Sequence, residues 1–337
     1  MATIRDVARL AKVSPTTVSA TLNGSAPVSE ELKTRVMDAV RRANYQPDRN
    51  AQTLRRGVST TIGLIVPDIA TPWASHLAKA AQRSLADNGF NLLLASNDDD
   101  PEQEFRDIAL MISHRVAGLL IGPTSLGPGY DVRFAEAVTC PAVLVDRVVA
   151  PDRFDIVADD NVHGGRLVAE YLLRRGHRRI GMLVGRPTIS ASFERFEAVT
   201  TSLAEGGAPL AENLTAFGVH TVEQAYAAAQ DLMSQPVRPT AIICISHTQV
   251  QGVMAGLKNM GVSVPGNVSV ISFDGFNPAE GWYPTITALV QRTGQVSDLA
   301  VGRLLERIRA ERQGAPEIQR VRPTLRVGES CAALSGG

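Results

Sequence analysis

The segment TIRDVARLAKVSPTTVSATLN, residues 3–23, contains two short helical patterns separated by a tight turn. In the first pattern, Thr3 and Asp6 have the spacing of a capping box. The apolar residues that follow recur on one helical face: Ile4, Val7, Ala8, Leu10 and Ala11. In the second pattern, Ser14 can cap a helix that begins at Pro15, where the missing N–H of proline costs no hydrogen bond. The segment therefore predicts two helices joined by a turn.

The predicted second helix has one apolar face and one small polar face. Val18 and Leu22 lie four residues apart and would contact the first helix, which leaves Pro15, Thr16 and Ser19 facing outward. Short hydroxyl side chains can approach a DNA groove closely enough to contact phosphates and base edges. The segment thus predicts a helix-turn-helix, whose second helix enters the major groove. A helical hairpin with no nucleic-acid role would have the same apolar pattern.

Charge is distributed unevenly along the chain. The 337 residues contain 34 Lys and Arg against 34 Asp and Glu, so the formal net charge is zero. Residues 1–58, however, hold ten basic and five acidic residues, which leaves 24 basic and 29 acidic residues in the remainder. Phosphate contacts supply most of the affinity of proteins for DNA, so a basic head on an acidic body favours DNA binding.

A third helix and a short basic segment complete the head. Ser29 is a predicted N-cap, and the apolar residues that follow at helical spacing would close a three-helix core: Leu32, Val36, Ala39 and Val40. Pro47 lies beyond the end of this helix. The segment RNAQTLRR, residues 49–56, is too short to form a stable helix alone in water, and from composition it is a flexible linker.

After Thr60, short apolar runs alternate with helical segments, a pattern typical of parallel sheets built from βαβ units. The runs form two successive sets, which predicts two similar lobes. The predicted fold class is therefore an all-α helix-turn-helix head followed by an α/β two-lobed body with parallel sheets flanked by helices. The sequence has no apolar leader and no apolar run of about eighteen residues, so we expect a cytoplasmic protein. The three cysteines are expected to be free thiols, and we expect neither a metal nor a cofactor.

The head segment, the following VSEELKTRVMDAVRRANYQPDRNAQTLR and the first strand TIGLIVPDI together resemble the LacI/GalR (lactose-repressor) family of bacterial transcription regulators. The resemblance runs in register from Thr3 to about Arg326. It implies a periplasmic-binding-protein-like body, a small effector in the cleft between its lobes, and a homodimer on a palindromic double-stranded DNA operator. A solute-binding protein without a DNA-binding role is the alternative that the body alone would allow.

The resemblance also implies domain boundaries. The head would span residues 1–46, the hinge 47–58 and the effector-binding and dimerisation domain 59–327. The composition of the last residues, 328–337, predicts a flexible tail. Within the body, the first lobe would comprise about 59–160 and 291–321, and the second lobe about 161–290 and 322–327.

By the same resemblance, the DNA contacts come from the head and the hinge: Thr3, Ser14, Pro15, Thr16, Thr17, Ser19, Asn23, Ala51, Leu54 and Arg55. Leu54 would enter the minor groove at the centre of the operator, as apolar side chains do in proteins that kink DNA. The family usually has arginine where this chain has Ala20, and that arginine commonly contacts a guanine. DNA shape and thymine methyl groups are therefore expected to carry more of the readout here.

Polar and aromatic side chains follow several predicted strands, where ligands bind in open parallel sheets. The candidates for the effector site are Trp73, Asp146, Phe193, Arg195, His220, Ser246, His247 and Asp274. Carboxylates and an arginine can hold adjacent hydroxyl groups, and an aromatic ring can cover the apolar face of a sugar. The resemblance supports Asp146, Arg195 and Asp274 as positions that bind sugars in relatives. A sugar-like effector is expected, and an acidic group on it would meet Arg195, His220 and His247.

An enzymatic function can also be considered, with Ser246, His247 and Asp274 as a nucleophile set. Ser246 and His247 are adjacent and would point apart, and the chain has neither a G-x-S-x-G nor a phosphate-loop motif. We therefore expect a protein that is not an enzyme.

Substitution Leu54→Ala tests the predicted hinge contact. We expect it to weaken specific operator binding sharply, because the apolar side chain that kinks the DNA is lost. Salt-sensitive binding to random DNA should stay almost unchanged, because it depends on phosphate contacts. Fluorescence anisotropy at fixed salt measures both affinities, and an equal loss on random DNA would contradict the minor-groove contact.

Overall fold

The computed structural model describes residues 2–23, 26–45, 59–124, 129–275 and 283–334. The chain divides into two compact units, Met1–Ser59 and Thr60–Gly337. The proposed hinge contacts Ala51, Leu54 and Arg55 lie outside the described residues.

The first unit contains three helices, with α1 at Ile4–Ala11, α2 at Pro15–Asn23 and α3 at Glu30–Ala43. The capping box at the start of α1 is present, because the backbone N–H of Thr3 donates to Asp6 at 2.9 Å. The hydroxyl oxygen of Ser29 accepts from Leu32 N at the start of α3. The three helices enclose a small buried core: Val7, Ala8, Ala11, Val18, Val36 and Ala39.

Two details of the head differ from, or add to, the sequence pattern. Leu10, which we assigned to the apolar face of α1, is 44% exposed. Val7 and Ala11 lie four residues apart on the buried stripe, and Leu10 falls at its edge, beyond the reach of the neighbouring helices. Lys12 ends α1 in the left-handed conformation, with φ of 54°, and this reverses the chain toward α2.

The first lobe of the second unit contains a six-stranded parallel sheet in the order β11-β5-β4-β3-β1-β2. Its elements are β1 Thr61–Val66, α4 Pro72–Asp87, β2 Asn91–Ser96, α5 Pro101–Ser113, β3 Gly118–Ile121, α6 Tyr130–Ala137, β4 Ala142–Val145, β5 Asp155–Asp159, α11 Thr293–Ile308 and β11 Ile318–Val321.

The second lobe repeats this plan with the sheet order β12-β10-β9-β8-β6-β7, in which only the terminal pair β12 and β10 is antiparallel. Its elements are α7 Asn161–Arg174, β6 Ile180–Leu183, α8 Ser190–Glu205, a 3₁₀ turn Glu212–Leu214, β7 Thr215–Ala216, α9 Val222–Ser234, β8 Ala241–Cys244, α10 His247–Asn259, β9 Ser269–Ser272, β10 Thr287–Val290 and β12 Thr324–Arg326.

Each sheet is covered by helices on both faces, so that each lobe has two apolar clusters. Burial on both faces explains why the central strands are continuous apolar runs, such as Ala241–Cys244, and not alternating ones. The three cysteines Cys140, Cys244 and Cys331 are free. No helix in the described part of the chain is long and apolar enough to cross a membrane.

The chain passes between the lobes three times. It leaves the first lobe after β5, returns after β10 through α11, and crosses again between β11 and β12. The short segment from β11 to β12 therefore contains two strands that belong to different sheets. Pro323 lies between them, and it cannot donate a ladder hydrogen bond.

The C-terminal residues up to Leu334 pack against the second lobe, which differs from the flexible tail expected from residue 328. Ser330 and Cys331 are 0% and 6% exposed. The Ser330 hydroxyl donates to Val270 O at 2.6 Å and accepts from Thr287 N at 2.8 Å. Small, polar composition suggested disorder, but these short side chains fit against β9 and β10 and satisfy buried polar groups of these strands.

Substitution Ser330→Ala tests the packing of this segment. It leaves the buried Thr287 N–H without its acceptor and removes one of the two side-chain donors to Val270 O, so we expect the free energy of unfolding to fall by about 1–3 kcal/mol. Ser234→Ala is the matched control, because the Ser234 hydroxyl is exposed and donates only to Gln230 O in its own helix. Chemical denaturation measures both changes; equal stability of the two variants would contradict the described packing.

Candidate DNA-contacting helix and effector cleft

Helix α2 presents a small polar surface. The Ser14 oxygen accepts from Thr17 N at 3.0 Å and lies 2.8 Å from the Thr17 hydroxyl oxygen, so the helix is capped as predicted. Val18 is fully buried, whereas Ser14, Pro15 and Thr16 are exposed. The first turn of α2 therefore offers short side chains that can approach a DNA groove.

The other residues of the head that we proposed as DNA contacts differ in their exposure. Thr3 is exposed, but its hydroxyl donates to Asp6 at 2.7 Å. Thr17, Ser19 and Ala20 are half-buried. The backbone of Asn23 closes the helix, and its side chain lies outside the described part of the structure.

The cleft between the lobes contains a first cavity of about 220 Å³. Six of the eight predicted effector residues line it: Trp73, Asp146, Arg195, His220, Ser246 and Asp274. They come from both lobes and lie beyond the carboxyl ends of the strands or at the start of the next helix, as open parallel sheets require.

Arg195 and Asp274 form the centre of this cavity. The guanidinium of Arg195 donates from Nε to Asn161 Oδ1 at 2.9 Å and from Nη1 to Ile245 O at 2.7 Å, and Nη1 lies 3.8 Å from Asp274 Oδ1. Asp274 accepts from His247 N at 2.9 Å and from Gln291 at 3.2 Å. Both side chains are therefore held in fixed positions with one edge toward the cavity, which is what recognition of adjacent hydroxyl groups needs.

On the opposite wall, Asp146 follows β4 in the left-handed conformation, with φ of 66°. Burial raises the pKa of its carboxyl group above the ordinary value, and the nearby Arg195 and Arg147 act in the opposite direction. Arg147 Nε lies 3.7 Å from Asp146, and its Nη1 donates to Asp99 at 2.7 Å. The wall thus contributes two carboxylates and one guanidinium to the same cavity.

A second cavity of about 330 Å³ adjoins the first and shares Trp73, Ser246 and Asp274 with it. His247 lines this second cavity and not the first. The Ser246 oxygen accepts from Gln249 N at 3.3 Å and caps α10. Trp73 lies at the start of α4, and its indole Nε1 is buried without a hydrogen-bond partner among the described residues.

Phe193, by contrast, is not brought to either cavity. It is 52% exposed on α8, whereas Ala191, Ser192 and Arg195 of the same helix line the first cavity. At about 100° per residue, position 193 lies roughly opposite position 195, so the two side chains cannot face the same site. Its proximity to Arg195 in sequence was therefore misleading.

Two family descriptions match the chain. "Bacterial regulatory proteins, lacI family" covers residues 3–48, and "Periplasmic binding proteins and sugar binding domain of LacI family" covers residues 59–319. The chain belongs to the LacI family. It is a DNA-binding transcriptional repressor of that family, with a body that binds a small effector.

Similar proteins include the HTH-type transcriptional repressor PurR of Actinobacillus pleuropneumoniae serotype 3 (strain JL03), 29% identical over 99% of this chain and 100% of the relative. PurR of Photorhabdus laumondii subsp. laumondii is 30% identical, covering 96% of this chain and 95% of the relative.

Among solved structures, the Lac repressor dimer bound to operator and the anti-inducer ONPF has the same fold, with a TM-score of 0.87 at 23% identity over 98% of this chain and 99% of that one. A complex of the transcriptional regulator CelR with cellobiose has a TM-score of 0.74 at 26% identity, covering 98% and 100% of the two chains.

Several residues of this LacI-family cleft were missed from the sequence. The first cavity also contains Asp68, Asp99, Arg147, Gln249 and Gln291. Four of the five follow the carboxyl ends of β1, β2, β4 and β10, so the rule that located Asp274 could have found them too. Gln249 had no such signal; it is 1% exposed and bridges Ile245 N and Val219 O across two loops.

Ser246, His247 and Asp274, which were considered as a nucleophile set, make hydrogen bonds that stabilise the cleft. Asp274 accepts from the backbone N–H of His247, and the Ser246 oxygen caps α10. Among the described residues, no group of three or more His, Cys, Asp and Glu side chains could hold a metal ion.

The carboxylate of Asp159 is buried at the first crossover, close to contacts between the two lobes. It is 2% exposed at the end of β5, and its Oδ1 has no hydrogen-bond partner among the described residues. Nearby, Arg320 of the first lobe pairs with Glu194 of the second lobe at 2.5 Å, and Val148 N donates to the Ser190 hydroxyl oxygen at 2.8 Å. Burial, and then the charge of Asp146, raise the pKa of Asp159 to about 7.

Substitution Asp159→Asn tests this buried carboxylate through the pH dependence of stability. The folded pKa lies above the unfolded value, so folding loses stability as pH rises from about 4 to about 7. The asparagine variant lacks this loss, and its stability relative to the native chain should therefore grow across that window, by on the order of 1–2 kcal/mol.

Thermal unfolding at pH 5 and pH 8 measures the effect. Asp298→Asn, which removes a carboxylate from α11 that lines neither cavity, serves as the control. If the variant and the native chain differ in stability by the same amount at both pH values, the folded native chain has an ionised Asp159 throughout this range.

Proposed function

We propose that two copies of this chain bind a palindromic operator as a homodimer, and that a sugar-like effector in the cleft controls this binding. The observation that carries the proposal is the first cavity, in which Arg195 and Asp274 of one lobe face Asp146 of the other. This set of charged donors and acceptors suits a compact ligand with several hydroxyl groups. Because the set spans both lobes, such a ligand would bind more tightly to a closed cleft than to an open one.

Exposed apolar side chains on the first lobe support pairing with a second copy. Strand β2 is the edge of its sheet, and Leu93 and Leu94 on it are 37% and 41% exposed. Leu110 on α5 is 52% exposed. An edge strand with exposed leucines would favour aggregation unless a partner covers it, and a two-fold interface is the commonest solution. The dimer of the Lac repressor on its operator is a precedent within the fold.

Two-fold symmetry would link the effector to DNA binding. A dimer places its two heads on half-sites related by the same symmetry, so a palindromic operator is expected. Cleft closure moves one lobe relative to the other and would change the spacing of the two hinges. The effector can shift this equilibrium only by the difference between its affinities for the two states.

Two further expectations belong to this proposal. The chain is proposed to act without catalysing a reaction, which its similarity to transcriptional repressors supports. A protein whose ligand is operator DNA must have access to the chromosome, so we propose a cytoplasmic, nucleoid-associated protein. A solute-binding role without DNA binding is disfavoured by the basic helix-turn-helix head, which such a protein would not need.

The experiment that tests the proposal is operator binding in the presence of candidate effectors. The purified full chain is titrated with DNA fragments from its own upstream region at fixed salt, with a panel of sugars and sugar derivatives added. We expect specific binding in a two-to-one ratio of chains to operator, and its loss or gain with one class of compound. Binding that no compound alters would contradict effector control, and monomeric binding would contradict the dimer.

Substitution Arg195→Gln separates effector binding from DNA binding. The guanidinium lies in the cleft of the body, so we expect operator affinity within about twofold of the native value and effector affinity reduced about 10- to 100-fold. Arg174→Gln is the matched control, because Arg174 is exposed on α7 and pairs only with Glu170. Calorimetry and anisotropy measure the two affinities; an unchanged effector affinity would remove Arg195 from the site.

A further inference from the structure

The second cavity is lined mainly by hydrogen-bond donors, which include one guanidinium and two imidazole rings. Arg326 of β12, His76 of α4 and His247 of α10 all line it. Arg326 forms no ion pair among the described residues, and His76 is exposed. The single acidic residue in the lining is Asp274, whose carboxylate already accepts from His247 N and Gln291. Asp274 also lies 3.8 Å from Arg195, so no described carboxylate in the lining is paired with Arg326.

One buried side chain points to a ligand in this cavity. Thr293 lines it and is 9% exposed, yet its hydroxyl makes no hydrogen bond among the described residues. The Trp73 ring also lines the cavity, but its indole Nε1 is buried away from solvent. Buried polar groups are normally satisfied, so the Thr293 hydroxyl indicates an acceptor that is supplied from outside.

Three helices also begin at this cavity. Residues of the first turns of α4, α10 and α11 line it, and these helices have 16, 13 and 16 residues. Thr71 and Ser246 cap α4 and α10. Helix α11 begins at Thr293 without a side-chain cap, so its first amide N–H groups can donate to a ligand. Helix N-termini carry partial positive charge and favour anions.

The first cavity has the opposite character. Its lining contains four carboxylates, Asp68, Asp99, Asp146 and Asp274, against three arginines and one histidine. Such a mixed lining suits hydroxyl groups, which both donate and accept. The two cavities are neighbours, because Trp73, Ser246 and Asp274 line both.

We propose that the second cavity binds an anionic group, a phosphate or a carboxylate, of an effector whose hydroxylated part occupies the first cavity. Arg326 supplies the main charge, and Thr293 with the start of α11 supplies neutral donors. This inference rests on the proposed effector function of the cleft. It narrows the effector to sugar phosphates and sugar acids.

The chain contains two tryptophans, so Trp282→Phe leaves Trp73, in the shared wall, as the only one. In this background, titration with inorganic phosphate should change the fluorescence of Trp73 saturably. Arg326→Gln should weaken phosphate binding at least tenfold, because a charge-assisted hydrogen bond is lost. Arg326→Lys should restore part of the affinity, and the control Arg174→Gln should leave it unchanged. No saturable change, or equal phosphate affinity in Arg326→Gln, would overturn the anion site.

A matched panel then distinguishes phosphate from carboxylate. Neutral hexoses, their 6-phosphates and the corresponding hexuronic acids are compared for binding and for their effect on the operator complex. We expect one anionic series to bind at least tenfold more tightly than the neutral sugars, and Arg326→Gln to abolish that advantage.

The same panel separates this inference from the proposed function. If neutral sugars control operator binding and the anionic derivatives gain nothing, the anion site is wrong and effector control stands. If phosphate binding depends on Arg326 but no compound alters the operator complex, the anion site stands and effector control fails.

Discussion

The functional body of this repressor depends on one constraint, which is that the carboxyl ends of two parallel sheets open onto the same cleft. A parallel strand delivers whatever residue follows it to one edge of its sheet, and the three crossovers bring the two edges together. Asp146 and Asp274 are far apart in sequence, yet both line one cavity because each follows a strand. Neither lobe alone contains the complete set of ligand-binding groups.

This constraint also explains how much of the site could be predicted. Asp146 and Asp274 directly follow apolar runs, so strand prediction was enough to place them. Arg195 and Phe193 were placed through a helix, where phase matters as well as position; Arg195 faces the cavity and Phe193 faces away. Gln249 could not be predicted, because its role depends on two loops that meet only in the folded chain.

The fold itself was predictable wherever burial imposed a period. The central strands are buried on both faces, and their apolar runs coincide with the observed elements, as at Gly118–Ile121. The predictions were wrong where they were based on residue type and not on a repeating apolar pattern. The segment around Ser330 was judged from small polar residues alone, although such residues also fit where a sheet edge needs buried hydrogen-bond partners. Leu10 was assigned to a face by its apolar character, when its position on the helix leaves it half exposed.

Electrostatics sets how the cleft can respond to a ligand. Burial raises the pKa values of Asp146 and Asp159, and the charge of Asp146 raises the pKa of Asp159 further. Arg195 and Arg320 offset that cost, and Arg320 also holds Glu194 across the lobes. A ligand that brings its own hydrogen-bond donors to Asp146 would favour its ionised form and change the balance at the crossover. The proposed effector contacts and the contacts that join the lobes therefore share one set of charges, so that ligand binding at these residues would be coupled to lobe movement through short distances.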